Sequence, residues 1–199
     1  MTRLLIWRHG RTEWNASDRT QGHTDVDLDD DGVAQAVAAA PRLAAYQPDL
    51  IVSSDLRRAA RTAGALAALT GLPVEYDARL RERNFGPWQG LTQAELRERY
   101  PEDYARFGTA TPLTDPAIET LDDMGKRVGA VFRDVIERAG SGGTAVLVTH
   151  GGTARVGIAM LLGWPPAVWP TLGGLGNCHH AVLRHAGVRG WRLVAHNLP

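Results

Sequence analysis

Three short aliphatic blocks separated by helical patterns constrain the fold of this chain more than any other feature. The blocks are Leu4 to Trp7, Leu50 to Val52 and Ala145 to Val148, and each is bounded by polar or turn residues. Such blocks are typical of buried strands. Because helical patterns lie between them, we predict a three-layer α/β/α sandwich with a mostly parallel sheet.

Start signals for helices support this alternation. Asp55 is positioned to cap a helix after the second block, and Thr92 and Thr120 each stand three residues before an acidic residue, which is capping-box spacing. Two late strands are expected at residues 180–184 and 191–196, joined through a turn. These elements extend the sheet beyond its three buried blocks.

Composition limits the class of protein. With 199 residues, 44% of them hydrophobic, the chain is long enough for one core, and we expect a single domain over residues 1–199. The 22 basic residues balance 22 acidic ones, so no overall field attracts nucleic acid or a membrane surface. The stretch from Gly108 to Ala117 is rich in threonine and proline, and we interpret it as a surface loop or lid.

Cysteine usage and the N-terminus indicate the compartment. The one cysteine, Cys178, excludes an intrachain disulfide and any multi-cysteine metal site, which fits a reducing compartment. The apolar run from Leu4 to Trp7 is too short for a signal peptide or a membrane span. We therefore expect a cytoplasmic protein.

A polar cluster follows each of the three blocks. The clusters are Arg-His-Gly at 8–10, Ser-Ser-Asp-Leu-Arg-Arg at 53–58 and Thr-His-Gly-Gly at 149–152. In an open parallel sheet, ligands bind outside the carboxyl ends of the strands, where helix N-termini also point. The sequence therefore predicts that these clusters meet in one site.

The residue types in these clusters suit a compact, multiply charged anion. Guanidinium groups match phosphate oxygens, and fixed cationic donors stabilise a transferring phosphoryl group without a metal. The candidate donors are Arg8, Arg58, His150 and the amide of Asn15. The predicted ligand is a phosphoryl group.

A nucleophile and an acid can also be assigned. Guanidinium groups around an imidazole disfavour its charged form, so His9 is expected to be neutral near pH 7 and able to attack phosphorus. The leaving alkoxide needs a proton, and Glu82, which follows a further strand-like piece, is the candidate donor. A carboxyl group near phosphate oxygens holds its proton more readily, and it could later activate water.

Four segments in this order carry a family resemblance: RHGRTEWN, SSDLRRAARTA, the segment around Glu82, and THGG. They resemble the histidine phosphatase superfamily, whose best-known branch is the cofactor-dependent phosphoglycerate mutases. The resemblance implies that His9 becomes phosphorylated and that Glu82 donates the proton. It implies a phosphoryl or substrate site made by Arg8, Asn15, Gln21, Gly22, Arg58, His150 and Gly151. No cofactor and no metal are expected.

Within the superfamily the chain resembles a phosphatase more than a mutase. The insertion after the glutamate segment and the C-terminal tail of the mutases are not recognisable, so water is expected to reach the phosphohistidine. The segments LIVSSDLRRA, GLTQAEL and WPTLGGLGN are similar to those of actinobacterial glucosyl-3-phosphoglycerate phosphatases. This resemblance implies that the substrate is glucosyl-3-phosphoglycerate or a sugar phosphate. One departure is Ile-Glu-Thr at 118–120, where many relatives have Gly-Glu-Ser.

Two alternatives remain open at this point. One is a cofactor-dependent phosphoglycerate mutase, and the other is a phosphoester-binding regulatory protein without turnover. A metal site is disfavoured because the remaining histidines lack metal-ligand spacing and an arginine-lined pocket repels a divalent cation. His23 lies in a loop that could cover the pocket and contact substrate. The expected partner is a small-molecule phosphomonoester, with no nucleic acid and no membrane; a homodimer is possible.

Overall fold

A six-stranded sheet forms the centre of the computed structural model, which describes residues 1–109 and 111–199. Its strands are β1 (Arg3–Arg8), β2 (Leu50–Ser53), β3 (Val74–Tyr76), β4 (Thr144–Thr149), β5 (His180–His185) and β6 (Trp191–Leu198). The α-helices are α1 (Glu13–Ala16), α2 (Asp30–Ala44), α3 (Arg57–Thr70), α4 (Gln93–Arg99), α5 (Pro101–Arg106), α6 (Leu121–Ala139) and α7 (Gly151–Leu161).

The sheet is mostly parallel, as predicted. Across it the strands lie in the order β3-β2-β4-β1-β5-β6. The first four of these pair in parallel, whereas β5 pairs antiparallel with β1 and β6 pairs antiparallel with β5. The two late strands predicted from the sequence therefore form the antiparallel side of the sheet.

Helices cover both faces of the sheet because successive side chains of a strand point to opposite sides. In β1, Leu4 and Ile6 pack on the side of α6 and α7, whereas Leu5 and Trp7 pack on the side of α2 and α3. All four side chains are fully buried. Every residue of β4 is buried as well, which is expected of a parallel strand covered on both faces. The predicted three-layer architecture is confirmed.

Asp55 does not cap α3, contrary to the prediction. The residue before the helix is Leu56, whose side chain makes no capping hydrogen bond. Asp55 instead forms an ion pair with Arg81, and the hydrogen bond from Arg81 is the largest cause that lowers the pKa of this carboxyl group. Asp55 pairs with Arg81 because the guanidinium group donates one charge-assisted hydrogen bond to each of the two carboxylate oxygens.

A third, smaller apolar cluster lies beside the sheet. It consists of Trp88, Leu96 and Ile118, with partly buried side chains around it. The capping box predicted at Thr92 starts α4 in this region. The predicted loop of residues 108–117 forms no helix or strand where it is described, and Ala110 lies outside the described residues. This cluster and loop border the carboxyl edge of the sheet.

Candidate active site

The carboxyl ends of β1 and β4 bring two histidines together. In the parallel register Arg8 lies opposite Thr149, so the residues that follow, His9 and His150, leave the sheet side by side. Their ring centroids are 5.1 Å apart. The structure thus places the clusters at 8–10 and 149–152 side by side. Arg58, from the cluster at 53–58, donates a hydrogen bond to His150.

His9 has a defined tautomer. Its Nδ1 lies 2.7 Å from the carbonyl oxygen of Gly10, and because a carbonyl oxygen only accepts, Nδ1 carries the proton. In the neutral ring Nε2 then holds the lone pair, and no group among the described residues hydrogen-bonds to it. The backbone carbonyl of His9 accepts from the amide of Cys178 and from the side chain of Asn177. The ring is therefore fixed from behind and keeps one nitrogen available.

His150 is held in the opposite tautomer. Arg58 Nε can only donate, and it lies 3.2 Å from His150 Nδ1, so this nitrogen accepts. The proton of the neutral ring is then on Nε2, which donates to the hydroxyl of Ser54 at 2.9 Å. Both ring nitrogens of His150 are engaged. Because this N–H bond is fixed in the ring plane, Nε2 can donate to a phosphoryl group only if the ring shifts or the hydrogen bond is shared with Ser54.

Burial keeps both imidazoles neutral. The pKa of each ring is lowered well below 6.5, and desolvation is the largest cause for His9 and for His150. The guanidinium group of Arg58 is the second cause in both. The direction agrees with the expectation for His9, but the order of causes differs, because removal from water contributes more than the nearby positive charges.

Arg58 is fully buried, and its guanidinium group donates three hydrogen bonds. It donates to His150, to the carbonyl of Gly22 at 2.8 Å and to the carbonyl of Thr24 at 2.8 Å. Burial lowers the pKa of the guanidinium group to about 10, so it stays charged at neutral pH. Arg58 is therefore a rigid cation beside the two histidines.

Arg8 is the second cation at this edge. One Nη donates to the carbonyl of Leu175 at 2.6 Å, but Nε is buried and has no hydrogen-bond partner among the described residues. Burial lowers its pKa, and the charge of Glu82 opposes that change. A buried donor without an acceptor is unfavourable. An anion oxygen would satisfy it.

Glu82 is anchored at the N-terminus of α7. Its carboxylate accepts from the amide of Gly152 at 2.9 Å, from the amide of Thr153 at 3.1 Å and from the amide of Arg83 at 2.9 Å. Gly152 cannot carry a larger side chain here, since an added Cβ would lie 2.5 Å from Glu82 Oε1. The helix that begins after His150 therefore also sets the position of Glu82.

The backbone around Glu82 is clamped by Arg127 from α6. The Arg127 guanidinium donates to the carbonyls of Arg81 at 2.7 Å and of Glu82 at 2.9 Å, and it pairs with both carboxylate oxygens of Glu119. His23 Nε2 lies 2.8 Å from the same Glu82 carbonyl, so it donates to it. Through this hydrogen bond, His23 contacts the segment that carries Glu82.

Sequence reasoning did not single out Ser54 or Arg127 for this site. Ser54 stood within a predicted polar cluster, and its position directly after a strand was the available signal. Arg127 lies within an amphipathic helix, where an arginine is ordinarily a surface residue. Only the packing of α6 against the Glu82 segment reveals its part.

The other predicted site residues all border the same cavity. Asn15 uses its Oδ1 to accept from Thr12 and Asn177, and Gln21 is buried with an Oε1 that has no partner among the described residues. The carbonyl of Gly22 is committed to Arg58. The predicted site residues that line the cavity are Arg8, His9, Asn15, Gln21, Gly22, Arg58, Glu82, His150 and Gly151.

The cavity has a volume of about 520 Å³ and extends beyond the two histidines. Its outer part is lined by Phe85, Phe107 and Trp169, and by the arginines Arg83 and Arg155. Gly108 and Thr109 of the predicted lid, and Gly174 and Leu175 of a second loop, also contribute to the lining. The cavity can therefore hold a molecule larger than phosphate, in the size range of small-molecule sites.

Neither a metal-binding cluster nor a membrane-spanning helix is found among the described residues. Among the described residues, no group of three or more His, Cys, Asp and Glu side chains is arranged to hold a metal ion. Within the same part of the chain, no helix has the length and apolar character needed to cross a bilayer.

Fold and site together define a class of protein. A neutral histidine with one free nitrogen, two arginines and a carboxylate stand at the carboxyl edge of a parallel α/β sheet, which is the equipment of a phosphoryl-transfer enzyme. Comparison with known families gives the particular group. The histidine phosphatase superfamily (branch 1) matches residues 4–199, and the chain belongs to this superfamily. It is a phosphatase that acts on phosphomonoesters.

Several similar proteins and solved structures are named phosphatases. The glucosyl-3-phosphoglycerate phosphatase of Mycolicibacterium vanbaalenii is 44% identical over 181 residues, which is 88% of this chain and 80% of the relative. A mycobacterial glucosyl-3-phosphoglycerate phosphatase solved with VO3 has a TM-score of 0.89 and 40% identity, with 99% of each chain covered. A phosphoserine phosphatase of Entamoeba histolytica, solved with 3-phosphoglyceric acid, has a TM-score of 0.84 and 28% identity, covering 98% of this chain and 96% of that one.

Proposed function

We propose that this histidine phosphatase hydrolyses a small phosphorylated metabolite of the glucosyl-3-phosphoglycerate type through a phosphohistidine at His9. The observation that carries the route is the tautomer of His9, whose protonated Nδ1 bonds to Gly10 and leaves the Nε2 lone pair free. The substrate is inferred from the relatives named glucosyl-3-phosphoglycerate phosphatase, which are similar over most of the chain. The cavity beyond the histidines offers room for the organic part of such a substrate.

In the first step, His9 Nε2 attacks phosphorus and the bond from phosphorus to the ester oxygen breaks. Arg8 and Arg58 hold the phosphoryl oxygens, with the Asn15 amide and His150 as further donors. The buried Nε of Arg8, which lacks a protein partner among the described residues, supports this role. The leaving oxygen takes a proton from Glu82, so that an alcohol departs.

In the second step, water attacks the phosphohistidine. Glu82, now ionised, accepts a proton from the water as its oxygen bonds to phosphorus, and the bond from phosphorus to Nε2 breaks. Phosphate leaves and His9 returns to its neutral tautomer. Every group in this scheme is a side chain of the protein, so we expect turnover without a metal or an organic cofactor.

The remaining expectations about the molecule are part of this proposal. A single domain over residues 1–199 fits one sheet with its two helical layers. A small-molecule phosphomonoester is the partner, with no role for nucleic acid or membrane. A cytoplasmic location and a homodimer remain predictions.

Trapping the covalent intermediate tests the route. Brief mixing with ³²P-labelled glucosyl-3-phosphoglycerate, followed by denaturation in alkali, should leave a phosphohistidine on the wild-type protein and none on His9→Ala. His185→Ala, a histidine at the far end of β5, is the matched control and should label normally. All reactions contain a chelator. Turnover by His9→Ala at the wild-type rate would reject the covalent route, and a better specificity constant for phosphopeptides or simple sugar phosphates would reject the substrate.

A further inference from the structure

Arg155 is an arginine of the cavity that the proposed chemistry does not use. It lies in the second turn of α7 and lines the cavity together with Trp169 and Gly174. Its Nε is buried and has no hydrogen-bond partner among the described residues. No carboxylate of the described residues lies within ion-pair distance of its guanidinium group.

The other arginines of the cavity are committed to protein groups. Arg58 bonds to two carbonyls and to a histidine ring, and Arg8 bonds to the carbonyl of Leu175. Arg83 donates its Nε to the carbonyl of Glu119 at 2.6 Å, and Arg19 donates to the carbonyl of Gly90 at 2.6 Å. Among the described residues, Arg155 is the cavity arginine for which no such bond exists.

Helix geometry sets its distance from the phosphoryl site. Gly151 packs against Arg8, since a Cβ added at Gly151 would lie 3.8 Å from Arg8 Nε. Arg155 is four residues further along the helix, on the same face and about 6 Å along its axis. Its Nη2 would lie 3.7 Å from a Cβ added at Gly174, next to the loop that holds Arg8 through Leu175. A further cation, Arg155, therefore stands one helical turn from the phosphoryl site of Arg8 and Arg58.

A ligand anion would satisfy this cation. A buried guanidinium donor without an acceptor is unfavourable, and two parallel hydrogen bonds to a carboxylate are the geometry that a guanidinium group favours. In a 3-phosphoglycerate unit, the phosphorus and the carboxylate carbon are separated by four bonds. Such a unit carries two anions at a spacing that suits two adjacent cationic sites.

We propose that Arg155 binds the carboxylate of the phosphoglycerate unit and so selects phosphoesters that carry a carboxylate over neutral phosphoesters. This inference rests on the proposed function for the identity of the substrate class. The phosphoryl group occupies the site of Arg8 and Arg58, and the carboxylate meets Arg155 beside the Gly174 loop. Any further part of the substrate then extends toward the outer aromatic lining of the cavity.

A pair of substrates that differ in one group tests this role. In 3-phosphoglycerate and glycerol 3-phosphate, a carboxylate replaces a hydroxymethyl group on the same three-carbon chain. For the wild-type enzyme we expect the ratio of their kcat/KM values to favour 3-phosphoglycerate by about 10- to 100-fold, the range for one hydrogen bond between charged groups. Arg155→Met should bring this ratio close to one, and Arg155→Lys should retain part of it.

Controls separate this inference from the proposed function. Arg133→Met removes an exposed arginine of α6 that does not line the cavity, and it should leave the ratio unchanged. Far-ultraviolet circular dichroism and thermal unfolding check that each variant is folded. A wild-type ratio near one, or equal losses on both substrates in Arg155→Met, would overturn the role of Arg155 while p-nitrophenyl phosphate hydrolysis still supported the phosphatase. No hydrolysis of any of the three esters would reject the proposed function, and this inference with it.

Discussion

The two histidines show how burial sets the chemistry of a side chain. His9 and His150 are almost completely removed from water, and this removal, more than the charge of Arg58, lowers the pKa of both. Their tautomers are then fixed by partners that can only accept or only donate. A neutral imidazole at pH 7 is thus a property of the folded protein, since an exposed imidazole would be partly protonated near pH 6.5.

These lowered pKa values predict how stability depends on pH. In the unfolded chain both histidines titrate near pH 6.5, whereas in the folded protein they take up protons only at lower pH. Below about pH 6.5 the unfolded state therefore binds more protons, and the free energy of unfolding falls as pH decreases; above that pH it levels off. Each histidine contributes at most about 1.4 kcal/mol per pH unit.

Urea unfolding between pH 5 and pH 8 measures this slope. In His150→Asn the slope on the acid side should decrease by about the contribution of one histidine, whatever the overall stability of the variant. A slope identical to that of the wild type would show that His150 titrates normally in the folded protein.

Glu82 gives a prediction about leaving groups. An alkoxide needs a proton to depart, whereas a nitrophenolate leaves with little protonation, so Glu82→Gln should slow an alkyl phosphate by about 10²- to 10⁴-fold and p-nitrophenyl phosphate by much less. Steady-state kinetics on both esters measures the difference. Equal slowing of the two esters would remove Glu82 from the acid role.

At the scale of elements, α7 organises the site. His150 precedes its first turn, its first amides hold Glu82, and its second turn carries Arg155. The opposite support comes from α6, which reaches the Glu82 segment through Arg127 and packs its apolar face against the sheet. Two helices on the same side of the sheet therefore fix Glu82 relative to His9.

Arg127→Met should damage both stability and turnover. The substitution removes donors from three backbone carbonyls, those of Arg79, Arg81 and Glu82. It also leaves the carboxylate of Glu119, which is 14% exposed, with only the amide of Asn84 as a donor. Loss of hydrogen bonds to a charged group at this partly buried site should cost about 1.5–3 kcal/mol. Urea unfolding measures the loss, and alkyl phosphate turnover should fall because Glu82 is less well positioned.

The matched control lies on the same helix. Arg133→Met removes an exposed arginine and should change the free energy of unfolding by less than about 0.5 kcal/mol. If the two variants were equally stable, the Arg127 contacts would not hold the Glu82 segment.

At the scale of the whole molecule, one sheet serves two cores. Trp7 lies in the core beside α2 and α3, and Trp169 lies in the core beside α6 and α7, while the central strands β1 and β4 contribute to both. Because both cores pack on the same strands, loss of either core destabilises the strands on which the other core packs. This coupling favours a single cooperative unfolding unit over residues 1–199.

Coincident unfolding curves test this coupling. Tryptophan fluorescence and far-ultraviolet circular dichroism should give the same urea midpoint, because both cores and the secondary structure are lost together. A fluorescence change at lower urea would indicate that the smaller cluster around Trp88 opens first. In that case the cluster would be an independent unit beside the carboxyl edge of the sheet.

The sequence by itself determined the three-layer fold and the grouping of His9, Arg58 and His150. Both follow from local rules, since a short aliphatic block makes a buried strand and parallel strands end at a common edge. Even the start of α4 at Thr92 was readable from capping-box spacing. Asp55 was misread because its partner, Arg81, is distant along the chain.

Only the tertiary structure decided the tautomers of the histidines, the contacts of Arg127 with the Glu82 segment and the lack of a partner for Arg155 Nε among residues 1–109 and 111–199. Each of these depends on which group of another element lies within about 3 Å, the length of a hydrogen bond. Spacing along a sequence does not encode such distances across elements. They are fixed when helices and strands pack, because burial removes water and leaves each polar group only the partners that the fold brings to it.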